Sequence, residues 1–487
     1  MGEDCRLASA FNTLLVVQPE EELPNDALGQ WQISDNQEDF VTYALALECN
    51  LRPNVVALKV CFDSAVVSRS QLEHMVHRLS SIVSQLADSP SDRLLGDVNL
   101  LTVKDEATIR NWNQTVPEHI ESPVHDIISR QEQQQPDSPA VSAWDGEVSY
   151  KELGELSSRL AKYLMSLGIC RREYGAETIV PLIFEKSKWV VVSMLAVLKA
   201  GAAFLLIDPD QAVGRRDLML AEINAKFVLT SKRNANILAN SDYNAVPVDA
   251  DTLSSLPGAN SITHSKVQLY STAYMVYTSG STGQPKGILI EHCALASSTV
   301  YGGRSVNFDK STRTLQFSSF SFDAYIMKIL TTLVYGGCVC MPSSENRLAD
   351  IDKTITDGRV NTIILTPPVV RLLKPATILT LRTVVLCGET PTDEDLQRLV
   401  TVPELFNGYG PAECTVGCTF GQIDFSQASA YVGKAVGSVS WIVHPDDHDR
   451  LAPVGSIGEL IVKGPIMARG YIGNPAGTAA SFIEAPA

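Results

Sequence analysis

The stretch YTSGSTGQPKG, residues 277–287, follows an apolar run at residues 273–276 that predicts a β-strand. Six consecutive hydroxyl or glycine residues stand in it: Thr278, Ser279, Gly280, Ser281, Thr282 and Gly283. Glycine lets backbone N–H groups approach oxygen atoms without a Cβ atom in the way. Lys286 adds a mobile positive charge that suits the outer phosphates of a nucleotide. A strand followed by this loop predicts a polyphosphate site with ATP as its ligand.

Two other interpretations compete for the same loop. A Walker P-loop is excluded, because counting from Gly280 places Pro285 at the second glycine position and Gly287 at the Ser/Thr position for magnesium. A plain Ser/Gly hairpin or linker stays open from the loop alone. It would not, however, require a proline and a lysine at these positions.

The composition is that of a soluble globular protein. The chain has 487 residues, 45% of them hydrophobic and 19% charged, a length typical of about three or four domains. A formal net charge of −16 without a basic stripe argues against a nucleic-acid partner. No long apolar run or basic N-terminal signal stands in the sequence, so we predict neither a membrane span nor secretion. Ten cysteines without a CxxC pair indicate reduced thiols and a cytoplasmic protein.

The N-terminal hundred residues differ from the rest. Residues 54–63 alternate apolar and polar residues, which predicts a half-buried strand. A helix begins after the capping residue Ser68, and its His74 and His77 are predicted to be surface residues, since no third metal ligand is near. The polar run QEQQQ at 131–135 is predicted to belong to a linker region.

Strands and helices alternate from about residue 141 onward. Residues 179–184 predict a strand, 188–199 a helix and 203–207 the next strand, which together make a βαβ unit. Further short apolar runs continue the series at 227–230, 273–276, 362–365 and 383–386. Continuous apolar runs of this length are typical of parallel strands covered on both faces, so the fold class is predicted to be α/β.

Five other segments accompany the loop in a fixed order. They are VSYKEL (148–153), LAVLKAGAAFLLIDPD (195–210), FSFDAYIMKIL (320–330), NGYGPAECT (407–415) and GELIVKGPIMARGYIGNP (458–475). In order and spacing the six motifs resemble those of the adenylation domains of nonribosomal peptide synthetases. These domains belong to the adenylate-forming superfamily, which also contains acyl-CoA ligases and luciferase. The resemblance covers about residue 118 to the end of the chain.

The resemblance implies a domain organisation. Residues 121–487 would be the large N-terminal core of an adenylate-forming enzyme, with two doubly wound sheets, helices and a small β-barrel-like subdomain, preceded by a linker at 106–120. Residues 1–105 resemble the C-terminal end of a condensation domain, an α+β remnant without the paired-histidine active-site motif. The C-terminal lid, with its lysine, and the aspartate that would bind ribose are expected to be absent from the chain, which would make turnover weak.

The resemblance also assigns roles at the nucleotide site. In this reaction a carboxylate attacks the α-phosphorus of ATP, so catalysis rests on positioning and charge neutralisation. Thr278, Lys286 and Glu413 would be catalytic, and Glu413 would also hold Mg²⁺. The ATP-binding residues would be Thr278, Ser279, Gly280, Ser281, Thr282, Gly283, Lys286, Asn407, Gly408, Tyr409, Gly410 and Glu413. Tyr409 would stack on adenine, and Asn407 would read the adenine edge. Ala412 and Cys414 depart from the usual threonines of the motif.

The same alignment gives a substrate pocket. Its wall would consist of Asp323, Ala324, Met327, Leu365, Val385, Cys387, Gly408, Val416 and Gly417. Asp323 would pair with the substrate α-ammonium, because an acid in an apolar pocket needs a cation; a helix N-cap is the structural alternative. No other pocket residue is charged. Two glycines and a cysteine are expected to leave room for a bulky, largely apolar side chain, such as tryptophan, phenylalanine, a large modified residue or an acylated ornithine.

The function implied is activation of an α-amino acid as aminoacyl-AMP. The product would be loaded onto the phosphopantetheine thiol of a peptidyl carrier domain, with a condensation domain of the same synthetase as a second partner. An acyl-CoA ligase-like enzyme is one alternative, disfavoured by Asp323. A catalytically degenerate module that binds nucleotide or amino acid is the other, motivated by Ala412 and the expected lack of a lid.

Overall fold

The structure, a computed structural model, describes most of the chain. The described residues are 13–19, 43–51, 56–90, 92, 94–169, 177–238, 243–257, 267–279, 285–345, 350–425 and 431–484. The chain divides into two compact units, an N-terminal unit of Met1–Trp112 with Ile442–Glu459 and a core unit of Asn113–Trp441 with Leu460–Ala487. The predicted domain limits at 105 and 120 stay predictions. No helix in the described ranges is both long and apolar enough to cross a membrane.

The secondary structure alternates as the sequence predicts. The strands are β1 Thr13–Pro19, β2 Leu45–Leu51, β3 Val56–Phe62, β4 Pro139–Ala143, β5 Gly146–Ser149, β6 Ile179–Ile183, β7 Ala203–Ile207, β8 Phe227–Thr230, β9 Asn244–Pro247, β10 Thr272–Ser279, β11 Pro285–Glu291, β12 Arg313–Leu315, β13 Cys338–Met341, β14 Thr362–Leu365, β15 Thr383–Cys387, β16 Glu404–Tyr409, β17 Thr419–Gln422, β18 Lys434–Ala435, β19 Val439–His444, β20 Asp447–Leu451, β21 Glu459–Lys463 and β22 Gly470–Tyr471.

The helices lie between these strands. They are α1 Arg69–Ala87, α2 Val103–Trp112, α3 Val124–Gln134, α4 Tyr150–Ser166, α5 Lys188–Lys199, α6 Val213–Glu222, α7 Ala250–Ser255, α8 His292–Ser305, α9 over residues 324–334, α10 Ile351–Asp357, α11 Pro367–Val370, α12 Pro375–Ile378, α13 Asp393–Arg398 and α14 Pro475–Ser481. Short 3₁₀ turns stand at Leu95–Asp97, Ala235–Leu238 and Ala412–Cys414.

Two large sheets organise the core unit. One has seven strands in the order β22-β11-β10-β7-β6-β8-β9, and the other has nine in the order β18-β17-β16-β15-β14-β12-β13-β4-β5. The strands from β10 to β9 in the first order, and from β16 to β4 in the second, run parallel to one another, which requires crossover connections. The remaining strands β11, β22, β17, β18 and β5 pair antiparallel. All five residues of β7 are buried, as expected for a strand covered on both faces. The α/β prediction with two doubly wound sheets is confirmed. Strands β20, β19 and β21 form a separate three-stranded sheet. The implied small β-barrel-like subdomain stays a prediction.

The VSYKEL motif has a structural role. Ser149 caps α4 and forms a capping box with Glu152, in which each side chain accepts a hydrogen bond from the other residue's backbone N–H. Tyr150 is fully buried, and its hydroxyl donates to the Gly337 carbonyl at 2.7 Å. The motif therefore starts a helix and ties it to the nine-stranded sheet.

The polar run 131–135 was wrongly predicted to be linker. Most of it is the end of helix α3, whose apolar face is buried in the main hydrophobic core. Gln131 Nε2 donates to the Val334 carbonyl at 3.1 Å, and Glu132 pairs at 3.4 Å with Lys199, a buried residue of α5. These polar side chains satisfy groups inside the fold, so composition alone was misleading here.

The N-terminal unit contains sheet β1-β2-β3 with helices α1 and α2. The Ser68 cap of α1 is confirmed, with a complete capping box. His77 is exposed as predicted, but His74 is buried, and its Nδ1 atom lies 2.7 Å from Asp105 Oδ1. Thr102 Oγ1 donates to the other oxygen of Asp105 at 2.8 Å. Because Asp105 belongs to α2, its contact with His74 joins α1 to α2. The described residues contain no group of three or more potential metal ligands.

A buried histidine pair lies at the start of α8. His292 and His125 stack edge to face, with their ring centroids 5.8 Å apart. Both ring nitrogens of His292 are buried without a hydrogen-bond partner among the described residues. Burial lowers the pKa of His292 to about 4, although the charge of Glu177 opposes the shift. This histidine is therefore neutral in the folded chain at neutral pH.

The buried, neutral His292 predicts that the folded chain loses stability at acidic pH. Between the unfolded pKa of about 6.5 and the folded pKa of about 4, the unfolded chain binds a proton at His292 that the folded chain does not. The stabilising effect is complete above pH 6.5 and is lost as the pH falls towards 4. As the pH falls, the free energy of unfolding of the wild type should therefore decrease more steeply than that of His292→Leu. The difference between the two slopes should be at most about 1.4 kcal/mol per pH unit. Urea unfolding at pH 7.0 to 4.5 measures the difference, with exposed His119→Leu as control. Parallel curves for wild type and His292→Leu would contradict it.

Candidate active site

The predicted phosphate loop connects a β-hairpin. Strands β10 and β11 pair antiparallel, with Thr278 opposite Lys286 and Ser279 opposite Pro285. Residues 280–284 between them lie outside the described residues, so the predicted roles of Gly280, Ser281, Thr282 and Gly283 stay predictions. The register places the first hydroxyl and the lysine of the motif side by side at the same end of the seven-stranded sheet. The antiparallel pairing of β10 and β11 is therefore compatible with both interpretations, the plain hairpin and the phosphate loop.

One tyrosine joins Lys286 to Glu413. Lys286 Nζ lies 5.1 Å from the ring centroid of Tyr471, within the range of a cation–π contact. The Tyr471 hydroxyl donates to Glu413 Oε1 at 2.7 Å. The predicted phosphate-binding cation and the predicted metal-binding carboxylate thus contact the same side chain. Sequence reasoning missed Tyr471, although the sixth motif contains it.

The chain turns sharply after Glu413. Thr415 and Val416 have positive φ angles of 53° and 81°, which is unusual for β-branched residues. Hydrogen bonds hold this turn, since Ser298 Oγ donates to the Thr415 carbonyl at 2.5 Å and Thr415 Oγ1 donates to the Ile466 carbonyl at 2.6 Å. The strained turn leads from the predicted metal ligand to the predicted pocket wall. Such strain is a common property of functional sites.

The predicted adenine-binding residues begin in β16. Tyr409 is 46% exposed and can offer a ring face to a ligand. A Cβ atom on Gly410 would lie 2.5 Å from Gly417 Cα, so no side chain fits there. Asn407 is 4% exposed, and its Nδ2 atom donates to the Tyr431 carbonyl at 2.9 Å. One amide hydrogen of Asn407 is therefore used within the protein, and its predicted contact with adenine stays a prediction.

Asp323 is a half-buried acid that lies just before the first turn of α9. Its Oδ2 atom is buried and has no hydrogen-bond partner among the described residues. Burial raises the pKa of Asp323 to about 7, and the negative charge of Glu413 adds to the effect. The hydroxyls of Tyr274 and Tyr325 nearby are also buried without a described partner. A carboxylate in this position is poised to pair with a cation.

The structure disfavours the capping alternative for Asp323. This residue occupies the N-cap position of α9, but its side chain makes no capping hydrogen bond. Its backbone is in the α region, whereas capping residues normally have extended backbone. Helix capping therefore does not explain an aspartate at this position.

Most of the predicted pocket wall comes together. Met327, Val385, Cys387 and Val416 belong to one hydrophobic cluster with Phe420. Ala324 is half-buried in the first turn of α9, where Met327 begins a π-helical segment, a feature common at functional sites. Leu365 differs, because its side chain packs in another cluster.

A charged residue lies near the predicted pocket wall, although no wall residue other than Asp323 is charged. Burial raises the pKa of Cys387, and the ammonium of the buried Lys328 opposes that shift. The space expected at the two glycines is filled by a phenyl ring. A Cβ atom on Gly417 would lie 2.6 Å from Phe420 Cζ, and one on Gly408 would lie 2.9 Å from Phe420 Cε1.

Comparisons with known proteins identify a family for this chain. Residues 128–472 match the family described as AMP-binding enzyme. The whole chain is 40% identical to a segment of the nonribosomal peptide synthetase TES of Alternaria alternata, covering 9% of that protein. It is also 38% identical to a segment of the N-benzoylphenylalaninol synthetase apmA of Penicillium brevicompactum, covering 20% of that protein. The chain therefore spans a fifth or less of the length of these two relatives.

A solved structure shows the same fold. The nonribosomal peptide synthetase FmoA3, in its alpha-methyl-L-serine-AMP bound form, superimposes with a TM-score of 0.75 at 22% sequence identity. The comparison covers 96% of this chain and 54% of that one. At this identity the likeness concerns the fold, whereas the family match covers well over half of the chain. The chain therefore belongs to the AMP-binding enzyme family.

Proposed function

We propose that this chain activates an α-amino acid with ATP, forming aminoacyl-AMP and releasing pyrophosphate. The observation that carries the proposal is the buried, unpartnered Asp323 Oδ2 atom, which lies within electrostatic range of Glu413. Glu413 in turn is joined through Tyr471 to Lys286. An acid that requires a cation therefore stands beside groups suited to phosphate and metal.

Each group has a task that follows from its chemistry. Asp323 would hold the substrate ammonium and thereby orient the substrate carboxylate towards the α-phosphorus. Lys286 and Thr278 would contact the phosphate oxygens, where positioning and charge neutralisation lower the barrier. Tyr409 would stack against adenine. Thr278 and Lys286 lie opposite each other, so both can reach one polyphosphate.

Glu413 suits magnesium. Mg²⁺ binds through one or two carboxylates together with substrate phosphates, and it rarely has a cage made only of protein. The described residues contain no cluster of three metal-ligating side chains, so Glu413 with the phosphates of ATP matches that pattern. When bound, the ion would neutralise charge on the phosphoryl oxygens. The hydrogen bond from Tyr471 fixes the orientation of the Glu413 carboxylate.

The partner domains of this chain are proposed from the names of its relatives, which include a nonribosomal peptide synthetase. The aminoacyl group would pass to the phosphopantetheine thiol of a peptidyl carrier domain, and residues 1–105 would be the end of a condensation domain of the same synthetase. A cytoplasmic location and the lack of nucleic-acid and membrane partners remain part of this proposal. The pocket cluster is apolar, which favours an apolar side chain. The sequence-based preference for a bulky one conflicts with the position of Phe420.

Pyrophosphate exchange tests this function directly. The chain is assayed with a panel of amino acids and with matched acids that lack the α-amino group. We expect exchange, or binding of an aminoacyl-adenylate analogue, only with amino acids, because the Asp323 carboxylate needs the α-ammonium as its partner. Equal activity with fatty or aryl acids and CoA would favour the acyl-CoA ligase alternative. Nucleotide binding without any exchange in a whole synthetase would favour a degenerate module, for which Ala412 is the motivation.

A further inference from the structure

Strand pairing places Phe420 on the pocket side of the sheet. Strands β16 and β17 are antiparallel, and Gly408 lies directly opposite Phe420. Residues directly opposite in an antiparallel pair project from the same face. Gly408 has no side chain, so the ring of Phe420 can extend across its backbone towards Val385. A Cβ atom on Gly408 would lie 2.9 Å from this ring and 3.4 Å from Val385 Cγ1.

Glycines surround the Phe420 ring on several sides. A Cβ atom on Gly417 would lie 2.6 Å from Cζ of the ring, and one on Gly302 of helix α8 would lie 3.9 Å from Cε2. A cavity of about 10 Å³ remains beside the ring, bordered by Met327 and Thr331 among others. That volume accommodates about one water molecule. The glycines therefore make room for Phe420 rather than for a substrate.

We propose that Phe420 is a specificity-determining residue that closes the end of the substrate pocket. On this proposal the chain accepts small apolar side chains and rejects phenylalanine and tryptophan. The inference rests on the proposed activation of an amino acid and specifies its substrate class. It replaces the expectation of a deep pocket, because Gly408 and Gly417 lie beneath the ring.

Binding of stable aminoacyl-adenylate analogues tests the inference. Isothermal titration compares alanyl-, valyl- and phenylalanyl-sulfamoyl adenosine on the wild type, Phe420→Ala and Phe420→Leu. The phenylalanyl analogue should bind at least about tenfold more tightly to Phe420→Ala than to the wild type, since size discrimination in apolar pockets reaches roughly 10- to 200-fold. The alanyl analogue should change by less than about threefold. Phe227→Leu is the matched control, because Phe227 is a partly buried phenylalanine in the seven-stranded sheet.

A second variant, at Gly417, tests the role of Phe420 without changing Phe420 itself. Gly417→Ala adds a methyl group where the ring now lies, so it should push the ring into the pocket and weaken binding of the valyl analogue. The same change in the Phe420→Ala background should have less effect, because contacting residues give non-additive effects. Thermal melting identifies any variant that does not fold, and Phe420→Leu then carries the comparison.

The outcomes separate the two proposals. If an AMP analogue binds but none of the aminoacyl analogues bind more tightly than AMP, the proposed function fails. If aminoacyl analogues bind, but the phenylalanyl analogue already binds the wild type tightly or its affinity is the same in Phe420→Ala, the role of Phe420 is overturned. Tighter phenylalanyl binding in Phe420→Ala with unchanged behaviour of Phe227→Leu supports it.

Discussion

Asp323→Asn is expected to lower amino-acid-dependent pyrophosphate exchange by roughly 30-fold to several thousandfold. The change removes the charge that pairs with a desolvated ammonium, a loss of about 2 to 5 kcal/mol, and 1.4 kcal/mol corresponds to a factor of about ten. The affinity for ATP should stay nearly constant, because the hairpin with Thr278 and Lys286 is unchanged. Exchange rates across an amino-acid titration, together with nucleotide binding, measure both quantities.

The same variant should be more stable than the wild type at pH 8. The folded pKa of Asp323 is about 7 and lies above the ordinary value of 3.8, so the folded chain holds a proton that the unfolded chain releases between these values. Stability is therefore complete below the unfolded pKa and falls as the pH rises through 7. An asparagine side chain has no proton to lose in this range, so Asp323→Asn should avoid this loss. A helix cap would instead leave both stability and exchange nearly unchanged, since asparagine caps as well as aspartate.

The pH dependence gives an independent check on Asp323. As the pH falls below about 7, more of the empty site carries a neutral acid, which does not pair with an ammonium. The KM for the amino acid should therefore rise on acidification, whereas the KM for ATP should change less. Normal exchange in Asp323→Asn with a flat amino-acid KM between pH 8 and 6 would remove the ammonium-anchor role.

Glu413→Gln is the second change with a large expected effect. Loss of the carboxylate should lower exchange by about 10²- to 10³-fold, as is typical when one group that stabilises transition-state charge is removed. The Mg²⁺ concentration needed for half-maximal exchange should rise, because the remaining ligands are weaker. Tyr471→Phe keeps the ring beside Lys286 but removes the hydrogen bond to Glu413, a loss on the order of 1 kcal/mol or about fivefold.

Two readouts keep the role of Glu413 testable. Because the charge of Glu413 raises the pKa of Asp323, Glu413→Gln should also move the pH dependence of the amino-acid KM towards acid. Glu389→Gln provides a control, because Glu389 is an exposed carboxylate that is not one of the contacting residues Glu413, Tyr471 and Lys286. A Glu413→Gln protein with the wild-type Mg²⁺ requirement and wild-type exchange would exclude Glu413 as the metal ligand.

The sequence by itself determined the features that local signals specify. Continuous apolar runs at β6, β7, β14 and β15 predict buried parallel strands, and the caps at Ser68 and Ser149 mark where helices begin. The order of the six motifs identified the family. These signals are readable because hydrophobic periodicity and capping act over a few neighbouring residues.

Tertiary structure decided which side chains share a space. Gln131 resembles part of a linker in composition, but its amide bonds to the distant carbonyl of Val334. Tyr471 became part of the site because its hydroxyl reaches Glu413, 58 residues earlier in the chain. Strand register placed the Phe420 ring over Gly408 and Gly417, where the sequence had predicted empty space. Burial, pairing and steric exclusion depend on neighbours that are close only in the folded chain, so no local pattern of residues contains them.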